Sequence, residues 1–545
     1  MMDADSPLGV ALLAATLAAP LALLAGCLSG RLRPLMLSLQ GLAALPGLAA
    51  ALFVLASGPT ELNVPGLRLT LRLDTPGALM LAASALLWTL VGTARFTDRS
   101  VGRDDRFAVS WLLTMIGSLG VFVAGDLVSF YLFYALVSIP AYGMIVTSGD
   151  LATKRVGAIY MAFAIFGEAL LLMAFAMLAA SAPGQEARIS DVMAALPVSP
   201  WRDVIAWLVI AGFGMKMGLV PFNGWMPLSY ATGPLASAAV LSGAAVKAGV
   251  IGLIRFLPLG AAWPDLGLAL MTIGFVSSFY GVAIGLTQSN PRAALGYSSV
   301  SQMGVVAVLI GAALVSGDPG ASTKIAFYAA NHVLVKGALF VAIAAFASRT
   351  GKTPGRAVLA AALALSLAGL PLTGGALAKI GAKDLLGYGL AGTLANLSSA
   401  ASTLLMLHFV ARVSAEPPDL SASFGIERLA RGWPAVALGA LFLPFALYLT
   451  IGGVSEALSL AKIWDGLWPI LLGAAIGAAL MRMPGRRPSV PTGDTVVIAE
   501  AMFARSLGLG RVFDRIESVL RQWPAASLAL VAIVLLLVTM AAYSR

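Results

Sequence analysis

The stretch GFGMKMGLVPFNGWMPLSY (212–230) places a single lysine inside an apolar segment and follows it with a proline. Lys216 is the only charged residue between Asp203 and Lys247, and Pro221 comes shortly after it. A charge at mid-bilayer costs about 3 kcal/mol even on lenient scales, and a proline removes a backbone hydrogen-bond donor. Together they predict a discontinuous membrane helix that carries an ionisable group, an arrangement that binds ions in transporters.

Three further lysines stand inside apolar stretches in the same way. They are Lys247 in SGAAVKAGV (242–250), Lys336 in NHVLVKGALF (331–340) and Lys379 in GGALAKIGA (374–382). A second set of helix breakers comes before the last of them: Pro371, Gly374 and Gly375. Ionisable residues inside the membrane usually mark a path for ions or protons. The chain is therefore predicted to be a transporter.

Composition places the whole chain in the membrane class. Of its 545 residues, 59% are hydrophobic and 11% are charged, far from the proportions of soluble domains. A span of about 20 apolar residues crosses a bilayer, and about 14–16 such segments follow one another along the chain. We predict an all-α, polytopic membrane protein with no soluble domain between its spans.

Membrane topology explains the excess of basic residues. The net charge is +10, but the arginines and lysines are spread over loops, which argues against nucleic acid as a partner. Basic clusters on alternate loops mark the cytoplasmic side: Arg31 and Arg33, Arg95 to Arg106, Lys154 and Arg155, Arg292, and Arg349 to Arg356. The pattern predicts a bacterial-type inner membrane protein in contact with lipid, with its N-terminus outside the cytoplasm.

The chain is predicted to contain four regions. Residues 1–106 form the first spans and a small extracytoplasmic hairpin at 57–73, where TELNVPGLRLTLRL alternates apolar and polar residues. The two sets of helix breakers fall at corresponding places in 107–256 and 263–412, as expected for two inverted repeats of five helices that each contain a broken helix. Residues 413–545 hold the remaining spans.

An amphipathic helix is predicted near 494–523, within the last region. Apolar side chains such as Ile498, Met502 and Phe513 fall near one face, and arginines lie elsewhere around the helix. Two interpretations are open. The helix is either a lipid-surface anchor or a clamp on a neighbouring subunit.

The sequence predicts neither a catalytic site nor a bound cofactor or metal. The single cysteine, Cys27, cannot build a disulfide framework, an iron–sulfur centre or a zinc site. It ends LALLAGC (21–27), which resembles a lipoprotein cleavage site, but the acidic residues before it favour an uncleaved first helix. The sequence contains no Walker loop or nucleotide fingerprint. Any redox chemistry is expected to belong to a partner.

Six stretches resemble, in the same order, the antiporter-like subunits shared by respiratory complex I, Mrp-type cation/proton antiporters and membrane-bound hydrogenases. They are DLVSFYLFYALVSIPAY (126–142), GFGMKMGLVPFNGWMPLSY (212–230), SGAAVKAGVIGLIRF (242–256), LGYSSVSQMG (295–304), NHVLVKGALF (331–340) and LAGLPLTGGALAK (367–379). Six collinear motifs over about half the chain are specific. The resemblance implies a helical core with two inverted five-helix bundles and a broken helix at the centre of each.

The resemblance also implies roles for the buried ionisable residues. Lys216 matches the lysine of the first broken helix, and Lys247 matches the lysine that connects it towards the second bundle. His332 and Lys336 match the helix before the second break, and Lys379 matches the ionisable group at that break. Because His332 and Lys336 are four residues apart, they share one helix face. Together with water, these residues are expected to carry protons.

The chain departs from the family's pattern at two positions. Ala135 stands where the fifth helix usually carries a glutamate, and Tyr230 stands where the motif after the first break usually has a histidine. Glu168, in YMAFAIFGEALLLMAF (160–175), is the only acidic residue deep in an apolar span of the first half. Since a buried carboxylate without a partner is costly, Glu168 is expected to pair with Lys216.

Four polar residues are weaker candidates for the same path. Tyr230 follows the first break, and Ser301 and Gln302 either hold water in a channel or bond one helix to another. His408, in LLMLHFVARV (404–413), either belongs to the path or packs as a hydrogen-bonded histidine.

The leading hypothesis is a proton-translocating or cation/proton-antiporting subunit of a multisubunit complex. Its partners would be other subunits, protons and either Na⁺ or K⁺. The sequence does not choose among a complex I type of NADH-quinone oxidoreductase, an Mrp-type antiporter, a hydrogenase relative and an inorganic-carbon uptake system. It therefore leaves open whether the chain pumps ions within a redox enzyme. Two alternatives remain: a stand-alone carrier of a solute, and a structural subunit partly inactivated by loss of the fifth-helix glutamate.

Overall fold

The computed structural model describes residues 6–64, 66, 69–96, 105–147, 149–182, 188–348, 353–416, 424–449, 452, 459–482 and 488–505. Within these ranges, thirteen helices are long and apolar enough to cross a membrane. The prediction of an all-α polytopic membrane protein is confirmed. The last predicted span and the residues after 505 of the predicted amphipathic helix lie outside the described residues.

The helices are numbered along the chain. Those of the first third are α1 (Pro7–Gly26), α2 (Arg33–Leu39), α3 (Leu45–Ser57), α4 (Thr75–Phe96), α5 (Asp105–Val123), α6 (Leu127–Ser138), α7 (Ala141–Ile145) and α8 (Leu151–Ser181). The middle of the chain forms α9 (Ile189–Ala195), α10 (Arg202–Met217), α11 (Trp225–Thr232), α12 (Leu235–Val240), α13 (Lys247–Phe256), α14 (Pro264–Gly285), α15 (Pro291–Ser316) and α16 (Ala321–Ala347). The remaining helices are α17 (Pro354–Ala368), α18 (Gly374–Leu386), α19 (Leu390–Ala415), α20 (Phe424–Tyr448), α21 (Leu460–Arg482) and α22 (Asp494–Arg505).

The predicted hairpin is present. Strands β1 (Thr60–Val64) and β2 (Leu69–Leu73) pair antiparallel. The carboxylate of Asp126 accepts hydrogen bonds from the backbone amides of Thr70, at 2.7 Å, and of Ser129, at 2.7 Å. Because the same carboxylate caps the start of α6, it fastens the hairpin to the helical core.

Two crossings are discontinuous, as predicted. The helix α10 ends at Met217, residues 218–224 are not helical, and α11 begins at Trp225. The helix α17 ends at Ala368, and α18 begins after residues 369–373. Pro221 and Pro371 lie within these two breaks. Each upstream half ends at a glycine with a left-handed backbone, which side chains disfavour: Gly218 at φ 69° and Gly369 at φ 95°.

Gly374 and Gly375 differ in position from the prediction, which assigned them to the break. They are instead the first two residues of α18. A side chain at Gly375 would overlap the carbonyl oxygen of Ser366. Small residues are therefore needed here because the two half-helices approach each other closely.

A third irregularity was not predicted. A π-helical turn, Leu241–Ala245, lies between α12 and α13, immediately before Lys247. Such turns insert one extra residue into a helix and are frequent at functional sites. The sequence predicts a continuous helix over 232–256, because a π turn leaves the apolar composition of the span unchanged.

The central helices are the ones that carry the lysines. The helix α16 is buried along its whole spanning length, and the crossing formed by α12 and α13 is nearly so. In contrast, α1 and α21 leave most of their surface uncovered. The predicted repeats 107–256 and 263–412 each contain one of the two breaks; their inverted relation stays a prediction.

Candidate ion path through the two discontinuous helices

Lys216 is buried at the end of the first half-helix, with 7% of its surface exposed. Its Nζ donates to Ser138 Oγ at 2.9 Å and to Tyr160 Oη at 3.4 Å. The ammonium also lies 5.8 Å from the ring centre of Tyr134, which favours a positive charge. The cavity beside it has room for about one water molecule. Hydroxyl groups and aromatic faces therefore surround this amine.

Glu168 lies on the helix that faces Lys216, with 3% of its surface exposed. Its carboxyl interacts electrostatically with Lys216 and lies next to the hydroxyl of Ser138. No ion pair among the described residues includes Glu168, and its Oε1 has no hydrogen-bond partner there. The predicted neighbours are thus close enough to interact, and the Ser138 side chain, which accepts from Lys216 Nζ and donates to the Tyr134 carbonyl, lies beside both. Ala135, at the position of the missing glutamate, lies one turn before Ser138 on α6.

The centre of the molecule holds two lysines and a histidine, all buried. Lys247 Nζ lies 2.6 Å from His332 Nδ1 and donates to the carbonyl of Ser242 at 3.1 Å. Lys336 Nζ donates to the carbonyl of Leu295 at 2.9 Å. Lys247 and Lys336 are both 0% exposed, and no carboxylate of the described residues forms an ion pair with either. Two buried amines without counter-ions are unfavourable if both are charged.

Tyr230 bridges the space between the first break and the centre. It is 0% exposed, and it interacts with Tyr160 on one side and with Ser242 on the other. Its hydroxyl makes no hydrogen bond of good geometry with the described residues. Polar groups thus run from Lys216 through Tyr160, Tyr230 and Ser242 to Lys247. In addition, α13 packs closely on α10 at Gly249, where a side chain would meet the backbone of Phe213.

Lys379 lies at the second break. Its Nζ donates to the carbonyl of Ala368, the last residue of α17, and to Ser399 Oγ at 2.6 Å. The final carbonyls of a helix have no partner within the helix, so the break supplies an acceptor for this ammonium. Lys379 therefore has the same kind of surroundings as Lys216: the end of a half-helix and a serine of a neighbouring helix.

Of the weaker candidates, Gln302 joins three helices, whereas His408 lies elsewhere. Gln302 donates to Ser402 Oγ at 3.2 Å and accepts from Tyr328 Oη at 2.9 Å. Ser301 Oγ is buried without a hydrogen-bond partner among the described residues. His408 Nε2 lies 2.8 Å from the carbonyl of Gln288, on the loop between α14 and α15. Along α19, His408 lies about 13 Å from Ser399, the residue that contacts Lys379.

Sequence reasoning missed the residues that hold the lysines in place. Ser138, Tyr160 and Ser399 each contact a lysine. Serine and tyrosine are common in membrane helices as packing residues, so a single sequence gives them no distinguishing signal. Asp494 is also buried, which the sequence does not reveal, because the amphipathic pattern places this residue at the start of an interfacial helix.

Comparison with known proteins places these residues in a family context. The sequence profile described as "NADH:quinone oxidoreductase/Mrp antiporter, TM" matches residues 124–406, which include all four intramembrane lysines. "Hydrogenase-4 component B" of Escherichia coli is 26% identical over 306 residues, 52% of this chain and 44% of that protein. "NADH-quinone oxidoreductase subunit M" of Pseudomonas aeruginosa is 31% identical over 290 residues, 51% of this chain and 56% of that protein. The chain spans about half the length of such curated relatives.

Solved structures share the fold over most of the chain. A chain in the structure of the Mrp complex from Dietzia sp. DQ12-45-1b aligns with a TM-score of 0.69 and 22% identity, covering 86% of this chain and 100% of that one. A chain of the membrane-bound sulfane sulfur reductase, an archaeal respiratory membrane complex, aligns with a TM-score of 0.69 and 21% identity, covering 97% and 100%. At this identity the likeness concerns the fold.

Proposed function

Because the chain belongs to the NADH:quinone oxidoreductase/Mrp antiporter family, we propose that it is a proton-translocating or cation/proton-antiporting subunit of a multisubunit membrane complex. The observation that supports this most is a row of four amines that form no carboxylate ion pair within the part of the chain that the structure describes: Lys216, Lys247, Lys336 and Lys379. The first lies at one helix break and the last at the other. Groups of this kind are costly to keep in a membrane. A role in proton transfer explains why the chain keeps these amines despite the unfavourable free energy of burying them.

In the proposed mechanism, protons enter the row at one break and leave it at the other. Ser138 relays between Glu168 and Lys216, so the carboxyl and the amine exchange one proton without a direct ion pair. At the centre, two close ammonium groups repel each other strongly in a medium of low dielectric constant. Protonation of Lys336 therefore favours release from Lys247 through His332, and charge passes along the row. Lys379 takes up and releases the proton at the second break.

The relatives support a role inside an assembly. One of them, from Bacillus subtilis, is named as part of a Na(+)/H(+) antiporter, and another, from Rhizobium meliloti, as part of a probable K(+)/H(+) antiporter. We propose that this chain likewise works with other subunits, in a bacterial-type inner membrane with its N-terminus outside. Protons, with Na⁺ or K⁺ as the exchanged ion, are the proposed substrates. We propose no cofactor in the chain itself.

Affinity purification of the tagged chain in mild detergent tests the assembly. Co-purifying subunits, identified by mass spectrometry, are the expected result, and their cofactors will tell whether electrons, cations or inorganic carbon are coupled to proton movement. A stable chain that purifies alone and carries an organic solute in proteoliposomes would instead establish a stand-alone carrier. The small cavity beside Lys216, with room for about one water, favours ions over solutes.

Tyr230 supplies a prediction about the link between the first break and the centre. Tyr230→Phe keeps the ring in its packed position and removes only the hydroxyl that lies between Tyr160 and Ser242. We expect proton flux in membrane vesicles to fall about tenfold or more, because a proton relay needs a group at that point. Tyr230→His returns a titratable ring and is expected to restore most of the flux. Equal flux in the wild type and Tyr230→Phe would show that protons bypass this residue.

A further inference from the structure

The start of α22 contacts the adjoining ends of α14 and α15. Asp494, its first residue, is 6% exposed. Its carboxylate accepts hydrogen bonds from Tyr297 Oη at 2.7 Å and from Tyr280 Oη. Tyr280 lies five residues before the end of α14, and Tyr297 lies six residues after the start of α15. Each tyrosine therefore lies between one and two turns inside its helix, counted from the loop that joins α14 to α15.

The same segment packs onto the first helix break. A side chain at Gly224 would meet Thr495 and the backbone of Val496. Its neighbour Asn223, also in the break, is 0% exposed and lies beside Tyr280. Neither amide atom of Asn223, nor the hydroxyl of Thr495, makes a hydrogen bond of good geometry with the described residues. Such unpartnered atoms in a largely buried site are explained by a bound ion or a water molecule.

The chemistry of these groups selects the ligand. The available ligand atoms are all oxygens: a carboxylate, the Tyr280 phenol, an amide oxygen and a hydroxyl. The Tyr297 phenol oxygen already accepts from the backbone amides of Gly493, at 3.0 Å, and Asp494, at 3.4 Å, so this tyrosine orients the carboxylate. Oxygen ligands suit hard cations. None of the ion pairs among the described residues includes Asp494, so its charge is not balanced by a nearby lysine or arginine there. One carboxylate balances one positive charge, whereas a divalent ion would leave an uncompensated charge in a buried site.

We propose that Asp494, Tyr280, Asn223 and Thr495 form a binding site for one alkali-metal cation, with Tyr297 orienting the carboxylate. The cation fastens the start of α22 to the first helix break. The site is separate from the row of lysines. It holds the cation at the turn that follows Lys216, so its occupancy sets how firmly that turn is held. This inference goes beyond the proposed function, and it requires no transport of the bound cation.

The test is equilibrium binding of ²²Na⁺ and ⁸⁶Rb⁺ to the purified complex, with N-methyl-D-glucamine as the replacement cation at constant ionic strength. The two isotopes distinguish a sodium site from a potassium-like site. We expect saturable binding by the wild type and loss of one cation per chain in Asp494→Asn. Glu500→Gln removes an exposed carboxylate of the same helix, which pairs with Arg155, and is expected to bind like the wild type.

Tyr280→Phe keeps the test decisive if Asp494→Asn does not fold. It leaves the ring in place and removes one oxygen ligand, so the affinity should fall about tenfold, with thermal stability unchanged in N-methyl-D-glucamine. Absence of saturable binding by the wild type, or wild-type affinity in either Asp494→Asn or Tyr280→Phe, would overturn the proposal. Binding is measured without a proton gradient, so the result does not depend on whether the chain translocates protons.

Discussion

Lys247→Met is expected to stop proton flux while leaving the complex assembled. The methionine side chain is similar in length and apolar, so it fills the space next to His332 but cannot carry a proton. Removing a fully buried amine that has no carboxylate partner among the described residues should not weaken the fold. Loss of one positioned proton-transfer group lowers a rate about a hundredfold or more. The measurement is the pH gradient formed across inverted membrane vesicles that contain the tagged chain in its complex.

Lys324→Met is the matched control for this experiment. Lys324 belongs to α16, the helix of Lys336, but it is partly exposed and pairs with Asp318 at 3.1 Å. It is therefore outside the row of lysines, and its replacement should leave the flux near the wild-type level. If Lys247→Met also gave wild-type flux in a fully assembled complex, the row would not be the proton path. The interpretation of the chain as a structural subunit would then be preferred.

The sequence was informative wherever a rare residue stands in an unfavourable place. Lys216 and Pro221, within a few residues of each other in an apolar span, predict the first break because both are costly there. His332 and Lys336 predict one helix face by their spacing alone. In these cases the physical cost of a residue is its signal, and the structure has both breaks where the prolines are.

The parts that escaped prediction depend on contacts between distant segments. Ser138 is ordinary in an apolar helix, and only the packing of α6 against α8 and α10 brings it beside Glu168 and Lys216. The π turn before Lys247 changes the backbone without changing composition. Asp494 looks like a helix-start residue at a membrane surface, yet tyrosines of α14 and α15 bury it. A single sequence does not show which residues from distant segments contact each other.

The lost fifth-helix glutamate raises the question of whether the first half still works. Ala135 stands where the resemblance implies an acidic group, but Ser138, one turn further along α6, accepts a hydrogen bond from Lys216 Nζ at 2.9 Å and donates its own hydroxyl to the Tyr134 carbonyl at 3.0 Å. Glu168 approaches this hydroxyl from α8, where Gly167 and Gly212 allow α8 and α10 to come close. The carboxyl nearest to Lys216 is therefore supplied by α8, and the Ser138 side chain lies beside both groups. We infer that the pair retains a proton-exchange role in a different arrangement.

Glu168→Gln is the variant that tests this inference, and its effect should equal that of Lys216→Ala. Glutamine has the same shape but cannot exchange a proton with the amine, so we expect flux to fall about a hundredfold. If the two residues act as one unit, the double variant will be no worse than either single variant. Ser138→Ala should give a smaller loss, because it removes only the bridge. Glu500→Gln, an exposed carboxylate on α22, serves as the control in the same vesicle assay.

The double variant separates the two accounts of the first half. Losses that multiply would mean that Glu168 and Lys216 act independently, so that the carboxyl serves another step. Wild-type flux in Glu168→Gln would remove the pairing altogether and leave Lys216 with hydroxyl groups alone. Equal, non-multiplying losses would establish that a carboxyl on α8 has replaced the missing one on α6. Proton exchange at the first break would then depend on the distance between the two groups rather than on which helix supplies the acid.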